Sequence, residues 1–305
     1  MMRLLFAMLF VQALFIFTAD IGQAAPNVSA ANAILIDNET GEILFEKEAH
    51  EERPIASITK IMTALLAVES GKLDEQAVVS RKAIYTEGSS IYLEQGEKMK
   101  VNDLVYGLML RSGNDAAVAI AEHIGGSEEG FIFLMNEKAA WLGMNHTHFT
   151  NPHGLDHEEH YSSAYDMAIL MKNAMENKKF EEISASKIYK SATRSYSWQN
   201  KHKLVTGYYS NATGGKTGYT KRTGRTLVTS AEKDGQKLIA VTLNGPDDWN
   251  DHINLFEWGF ERLAADKSID GNSAFKLTEE ENRSVFTFMT DISDILQRMT
   301  GVKSW

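Results

Sequence analysis

The chain has no cysteine among its 305 residues. That absence excludes disulfides, thiolate metal sites and a cysteine nucleophile together, so hydrolytic chemistry must draw on Ser, Thr, carboxylates or histidine. Proline is scarce, with 4 residues, and no Pro/Ser-rich stretch or long charge run marks a linker. Positive charge is also in short supply: 31 Lys and Arg against 41 Asp and Glu give a formal charge of −10. Nucleic-acid binding relies on clustered cations that release counterions, so no nucleic-acid partner is expected and the acidic balance reads as a solvated surface. A run of roughly 20 apolar residues, enough to cross a bilayer, is missing as well. The N-terminal apolar stretch reaches only from Leu4 to Phe17, behind Arg3 and ahead of Gly22-Gln23-Ala24. That is the pattern of a cleaved secretion signal. Residues 1–24 are therefore expected to be a leader, with the folded unit starting at residue 25.

The full chain is 43% hydrophobic and 24% charged, the balance of a foldable globular chain. Ala33 to Asp37 and Glu42 to Glu46 read as two strands joined through Asn38-Glu39-Thr40-Gly41, whose Asn and Gly tolerate positive φ. After Pro54, apolar residues at Ile58, Ile61, Leu65 and Val68 fall on one face of a helix that stops near Gly71. Helical periodicity then dominates from about residue 102 to 177, through Leu104, Leu108, Met109, Val118, Ala121, Phe131, Met135, Met167 and Leu170. Strand signals return at Thr226 to Ala231 and Lys237 to Leu243, joined through Lys233-Asp234-Gly235. The expected fold is α/β of the α+β type: an antiparallel sheet built from both ends of the chain, with a helical lobe over about residues 70–200 inserted between them. The catalytic domain is expected over residues 25–265, with a cleft between sheet and lobe as its site. Residues 266–305 form an extension whose apolar positions Val285, Phe288, Met289, Ile292, Leu296 and Met299 make an amphipathic helix. Core or partner packing is its plainer reading and peripheral membrane docking its sharper one.

Ser57 and Lys60 lie three apart at the start of the predicted helix, so both emerge on one face. A serine hydroxyl needs a base, and a lysine serves only if burial or nearby positive charge draws its pKa toward neutrality. Alone the spacing is worth little, because roughly one Ser-x-x-Lys arises by chance in a chain this long. Ser112-Gly113-Asn114 sits between helical segments and reads equally as a cap. Lys216-Thr217-Gly218 reads as the start of a strand after Gly214-Gly215, with Gly218 letting a substrate backbone approach.

Taken together in this order, the three motifs resemble the signature of the serine penicillin-recognising enzymes. The surrounding text is similar to the low-molecular-weight penicillin-binding proteins that are D-alanyl-D-alanine carboxypeptidases. It does so at Pro54-Ile55-Ala56-Ser57-Ile58-Thr59-Lys60, Leu110-Arg111-Ser112-Gly113-Asn114-Asp115-Ala116, Asn151-Pro152-His153-Gly154-Leu155-Asp156, Ser162-Ser163-Ala164-Tyr165-Asp166 and Gly215-Lys216-Thr217-Gly218-Tyr219-Thr220. The resemblance runs from about Ala30 to Leu263. It implies a β-lactamase/transpeptidase-like fold, a peptidoglycan stem peptide as substrate and β-lactams as inhibitors. It further implies Ser57 as nucleophile, Lys60 as its base and Ser112 as a proton relay. Asn114 would hold the substrate amide, Lys216 and Thr217 the terminal carboxylate, the backbone of Ser57 and Tyr219 the oxyanion, and Gly218 and His153 would border the substrate. No cofactor and no metal are implied.

The chain departs from that family in two places. About forty residues follow the catalytic region where a β-rich domain is usual. Asp247-Asp248 stand where some members have an arginine, so carboxylate recognition is expected to lean on Lys216, Thr217 and Arg222 or Arg225. Five histidines, His146, His148, His153, His157 and His160, crowd one stretch, but no His-Glu-x-x-His accompanies them and a metal site is not expected. A class A β-lactamase would need a glutamate on the following loop, for which only Glu158 and Glu159 are at hand. Met109, Met135, Met144 and Met171 read as core filler.

Overall fold

Asp37 organises the first turn of the chain. Its carboxylate accepts hydrogen bonds from the backbone of Glu39 and Thr40 and from the Thr40 hydroxyl, while Gly41 takes φ +78°. The positive φ falls on Gly41 and not on Asn38, because the short Asp37 side chain closes the turn first. The strands on either side, β1 (Asn32–Asp37) and β2 (Ile43–Lys47), form the expected hairpin.

The computed structural model describes residues 25–273, with side-chain surroundings through residue 265. The leader over residues 1–24 and the amphipathic helix from Val285 to Met299 lie outside the described residues. After β2 comes a 3-10 turn (Ala56–Thr59) that runs into α1 (Lys60–Glu69). Then follow β3 (Gln76–Val78), α2 (Arg81–Ile84), β4 (Lys98–Lys100), α3 (Val101–Tyr106), a π turn (Gly107–Arg111), α4 (Asn114–Gly125) and α5 (Glu128–Trp141). The chain continues through α6 (Ala164–Met175), α7 (Lys178–Ala185), β5 (Ile188–Tyr189), β6 (Trp198–Gln199) and a second π turn (Leu204–Tyr208). It returns to the sheet as β7 (Ala212–Thr220), β8 (Gly224–Lys233) and β9 (Gln236–Leu243), and ends in α8 (Asp248–Ser273).

The main sheet is antiparallel in the order β2-β1-β9-β8-β7. Asn32 pairs with Leu243 and Asp37 with Leu238, so the N-terminal hairpin closes onto the last strand and the helices form a layer between the two ends of the chain. One compact unit extends through Phe260. Both faces of the sheet are covered, which is why β8 is buried without a break from Thr226 to Ala231. Ile34 and Ile36 of β1 join the core with Ile61, Leu65 and Met171. Leu35 points the other way, toward α8, where a Cβ at Gly259 would fall 2.6 Å from Leu35 Cδ2 and 2.9 Å from Leu238 Cδ1. Only glycine lets that helix lie so close.

Two expectations shift in detail. The Lys216-Thr217-Gly218 segment lies inside β7, whose pairing with β8 begins at Ala212 and takes in Gly214 and Gly215. Glycines carry no strand-forming side chain, so the start of the strand is set by backbone pairing that periodicity does not register. Helix α1 is enclosed on more than one face, since Met62, Ala64 and Ala67 are as buried as Ile61 and Leu65. It is the central helix of the core. The four methionines read as filler are buried, Met135 and Met171 completely. Among the described residues no helix is long and apolar enough to cross a membrane.

Candidate active site

Ser57 sits on the 3-10 turn that leads into α1, directly after Ala56, which adopts φ +51°. Left-handed backbone at a non-glycine residue costs energy and persists only where its surroundings enforce it. Three contacts do so here. The Thr59 hydroxyl donates to the Ala56 carbonyl at 2.7 Å, and His160 Nε2 holds Thr59 Oγ1 at 2.8 Å. The backbone N–H of Thr150 donates to His160 Nδ1, which fixes the tautomer with its proton on Nε2. Thr226 Oγ1 meanwhile donates to the Ile55 carbonyl at 2.9 Å, tying the turn to the sheet. Burial, with the neighbouring His148 and His157 adding to it, lowers His160 to about 3, so this prop stays neutral through the physiological range.

Gly154 presses on the same turn from outside. It has φ +86°, and a Cβ built on it would lie 1.9 Å from the Ala56 carbonyl oxygen. Gly154→Ala is expected to push the 151–155 loop off Ala56 and lower acylation of Ser57 about a hundredfold, the scale for a displacement near 1 Å at a reacting pair. Stopped-flow acylation by a chromogenic cephalosporin measures it.

Lys60 is completely buried, with Nζ 2.9 Å from Ser57 Oγ and donating at 2.5 Å to the His153 carbonyl. Its pKa is drawn well below the usual lysine value, first by burial and then by the charges of Lys216 and Lys201. Ser112 lies across the cleft in left-handed backbone, φ +64°, at the junction between the π turn and α4. Its Oγ accepts from Lys216 Nζ at 3.1 Å, and Lys216 also donates to the Thr217 carbonyl at 2.8 Å. Burial, then the charge of Lys201, brings Lys216 down to about 7. Asn114 is buried with Nδ2 donating to the Glu87 carbonyl, and its Oδ1 has no partner. Gly218 brings β7 against the turn that holds Ser57, since a Cβ there would stand 2.9 Å from Ser57 N.

These groups border a cleft of about 390 Å³ lined by Ser57, Ser112, Thr217, Gly218 and Tyr219. It thus brings together all three sequence motifs. His153 is not among the residues lining the cleft: its carbonyl holds Lys60, while its ring is buried and lowered to about 3, chiefly by burial. Arg225 lines the cleft and Arg222, exposed on the turn between β7 and β8, does not. Glu158 and Glu159 are exposed outside it. Of the five clustered histidines, the rings of His148, His153, His157 and His160 hydrogen-bond backbone groups of their own segment and His146 stands 3.5 Å from Glu52, and no group of three or more metal-binding side chains occurs among the described residues.

Sequence reasoning missed Ser89, Lys201, Lys203 and Trp249, which also line the cleft; Asp248, noted where some family members have an arginine, lines it too and stands 3.9 Å from Arg225. The one available signal was Lys201-His202-Lys203, a basic pair in a chain short of positive charge.

Residues 19–247 match the family described as peptidase S11, D-alanyl-D-alanine carboxypeptidase. The chain is 41% identical over 220 residues to D-alanyl-D-alanine carboxypeptidase DacF of Bacillus subtilis (strain 168), covering 70% of this chain and 56% of that one. It is 37% identical over 283 residues to D-alanyl-D-alanine carboxypeptidase DacC of Escherichia coli (strain K12), covering 88% of this chain and 70% of that one. Its fold superposes on the crystal structure of a D-alanyl-D-alanine carboxypeptidase from Mycobacterium tuberculosis H37Rv with a TM-score of 0.74 at 31% identity, covering 79% of this chain and 95% of that one. The same score, at 30% identity, relates 78% of the chain to the whole of a mutant Streptomyces K15 DD-transpeptidase. The fold is therefore the β-lactamase/transpeptidase-like one. With the three motifs converging on one cleft and the family match spanning most of its length, the chain belongs to the peptidase S11 family of D-alanyl-D-alanine carboxypeptidases.

Proposed function

We propose that the protein is a serine D-alanyl-D-alanine carboxypeptidase that removes the terminal D-alanine of peptidoglycan stem peptides and is acylated by penicillins. The observation that carries this reading is the buried Lys60 amine at 2.9 Å from Ser57 Oγ, with Ser57 lining one cleft together with Ser112 and Thr217. Lys60 in its neutral form takes the Ser57 proton as Oγ attacks the carbonyl between the two D-alanines. The backbone N–H groups of Ser57 and Tyr219 hold the oxyanion. As the C–N bond breaks, Ser112 gives its proton to the departing amine and takes in its place the one that Lys60 received, while Asn114 steadies the acyl-side amide. Water then cleaves the Ser57 ester and the serine regains its proton. Thr217 and Arg225 receive the terminal carboxylate, while Lys216, occupied by Ser112 and the Thr217 carbonyl, acts through its charge. Gly218 keeps the β7 backbone against the substrate, and the His153 carbonyl positions Lys60.

The enzyme acts outside the cytoplasmic membrane, led there by residues 1–24, on an extracellular polymer. The catalytic domain spans residues 25–265, and the apolar positions from Val285 to Met299 supply a surface for peripheral membrane or partner contact.

Protein lacking the leader is expected to release D-alanine from a stem pentapeptide and to gain one long-lived penicillin adduct by intact mass. Rapid penicillin turnover would instead mark a β-lactamase. A folded protein with neither activity would mark a penicillin-site scaffold without catalysis.

The pH profile follows from the lysines. Because the base works only when neutral, acylation is expected to rise with pH through the lowered Lys60 pKa and to fall below it. His153 and His160, both near 3, contribute no limb above about pH 5. A limb that vanishes in His160→Gln would contradict this assignment.

A further inference from the structure

A second cavity of about 270 Å³ adjoins the catalytic cleft and shares Ser89 and Lys201 with it as wall residues. Its remaining walls come from residues 88–92, from Arg111 at the end of the first π turn, and from Tyr196 and Trp198. The loop is tethered from beneath. The buried Asp115 carboxylate accepts from Ser90 Oγ at 2.6 Å and from the backbone N–H groups of Ile91 and Leu93 at 3.1 Å each. Within it Tyr92 adopts φ +59° and leaves 77% of its surface in water. A bulky side chain in left-handed backbone with its ring exposed serves neither core packing nor turn chemistry, and such strain concentrates at ligand sites.

The charge of this wall points the same way. Arg111 Nη1 donates to the Gln199 carbonyl at 3.1 Å, and Lys201 Nζ donates to Ser89 Oγ at 3.1 Å. Neither cation has a carboxylate within ion-pair distance among the described residues. Desolvation and the charge of Arg111 together lower the Lys201 pKa, so the two cations feel each other. Trp198, buried in the same wall, has an indole N–H with no acceptor. Two uncompensated cations side by side in a protein of charge −10 make a place where an arriving anion is stabilised.

The direction along the substrate follows from the third cavity, which joins the cleft through Tyr219 and Arg225 and shares no lining residue with the second. Since Arg225 and Thr217 face the departing D-alanine, the Ser89 and Lys201 end is left for the acyl side. We propose that the Arg111 cavity is an acyl-side subsite for a carboxylate carried by the residue preceding the D-alanyl-D-alanine pair, a reading that rests on the carboxypeptidase activity proposed above. Tyr92 and Tyr196 flank the aliphatic stem of that residue, and Arg111 with Lys201 receives its anionic end.

Three N-acyl tripeptides ending in D-alanyl-D-alanine test it, with meso-diaminopimelate, its distal amide, or L-lysine in the first position. The wild-type kcat/KM is expected to favour the free acid over the amide about tenfold or more, the scale of a charge-assisted hydrogen bond. Arg111→Gln is expected to bring that ratio close to one, and Arg111→Glu to turn the preference toward lysine. Equal rates for acid and amide in the wild type, or a ratio untouched by both variants, would overturn the subsite. Should no peptide be turned over, the same ratio read as Kd on Ser57→Ala decides the subsite separately: an Arg111-dependent preference keeps it and a flat series removes it.

Discussion

Ser57→Ala is expected to take up no penicillin mass and to release D-alanine at least about ten-thousandfold more slowly than the wild type, the scale seen when a serine hydrolase loses its nucleophile. Its melting temperature should stay close to that of the parent. The reason for the asymmetry lies in the turn. Ser57 contributes one hydroxyl to a partly exposed position, whereas the fold of that turn depends on Ala56, Thr59, His160 and Gly154, none of which changes. Intact-mass spectrometry after penicillin treatment, followed by mapping of the acylated peptide, reads the result directly. An adduct that persists in Ser57→Ala and maps to Ser112 would exchange the roles of the two serines. Ser112→Ala, by contrast, should acylate slowly but still at Ser57.

Lys60→Met is expected to lower acylation about a thousandfold, the middle of the range for loss of a general base, and to change how stability depends on pH. The folded protein holds Lys60 well below its unfolded value of 10.5, mainly through burial. Between those two pKa values the unfolded chain binds a proton that the folded chain does not, so folding stability climbs as pH rises across that window and is lower at pH 7 than at pH 10. Methionine has nearly the same length and nothing to titrate, so the climb in melting temperature from pH 7 to pH 10 should become shallower in the variant. The loss of hydrogen bonds to Ser57 and the His153 carbonyl offsets part of what the removed charge contributes at neutral pH. A slope identical to that of the wild type would mean that Lys60 folds in its ordinary charged state, which would end its role as base. Lys216, brought to about 7 from 10.5, should respond in the same direction between those two values.

The motif residues were legible because their chemistry and spacing are local. Ser57 and Lys60 share one helical turn, and Ser112 and Asn114 share one bend. The sheet was legible for a similar reason: Ile34, Leu35 and Ile36 alternate between two buried faces, and Asp234-Gly235 supplies the two positive φ angles of a tight hairpin. His153 marks the limit of such reading. Its place in the Asn151 to Asp156 loop suggested a side chain turned to substrate, but the carbonyl faces Lys60 while the ring is buried, and a backbone orientation of this kind leaves no trace in residue type. Lys201, Lys203 and Trp249 were out of reach for another reason, since they come to the cleft from segments whose neighbours in space lie far away along the chain.

By itself the amino-acid order carried the resemblance that implies the reaction class: three motifs in sequence, holding a hydroxyl with an amine three residues on, a second serine and a second lysine, in a chain that has no thiol to offer. Those are properties of residue identity and short-range geometry, and they survive without coordinates. Only the tertiary structure decided how the lysines are made fit for their task. Lys60 and Lys216 are separated by 156 positions in the sequence, and neither spacing nor composition says that both will be sealed from water beside each other with Lys201 at the rim. Desolvation and like-charge repulsion depend on what surrounds a group in three dimensions, and it is the closing of β7 and β8 against the 3-10 turn that leads into α1 that creates those surroundings.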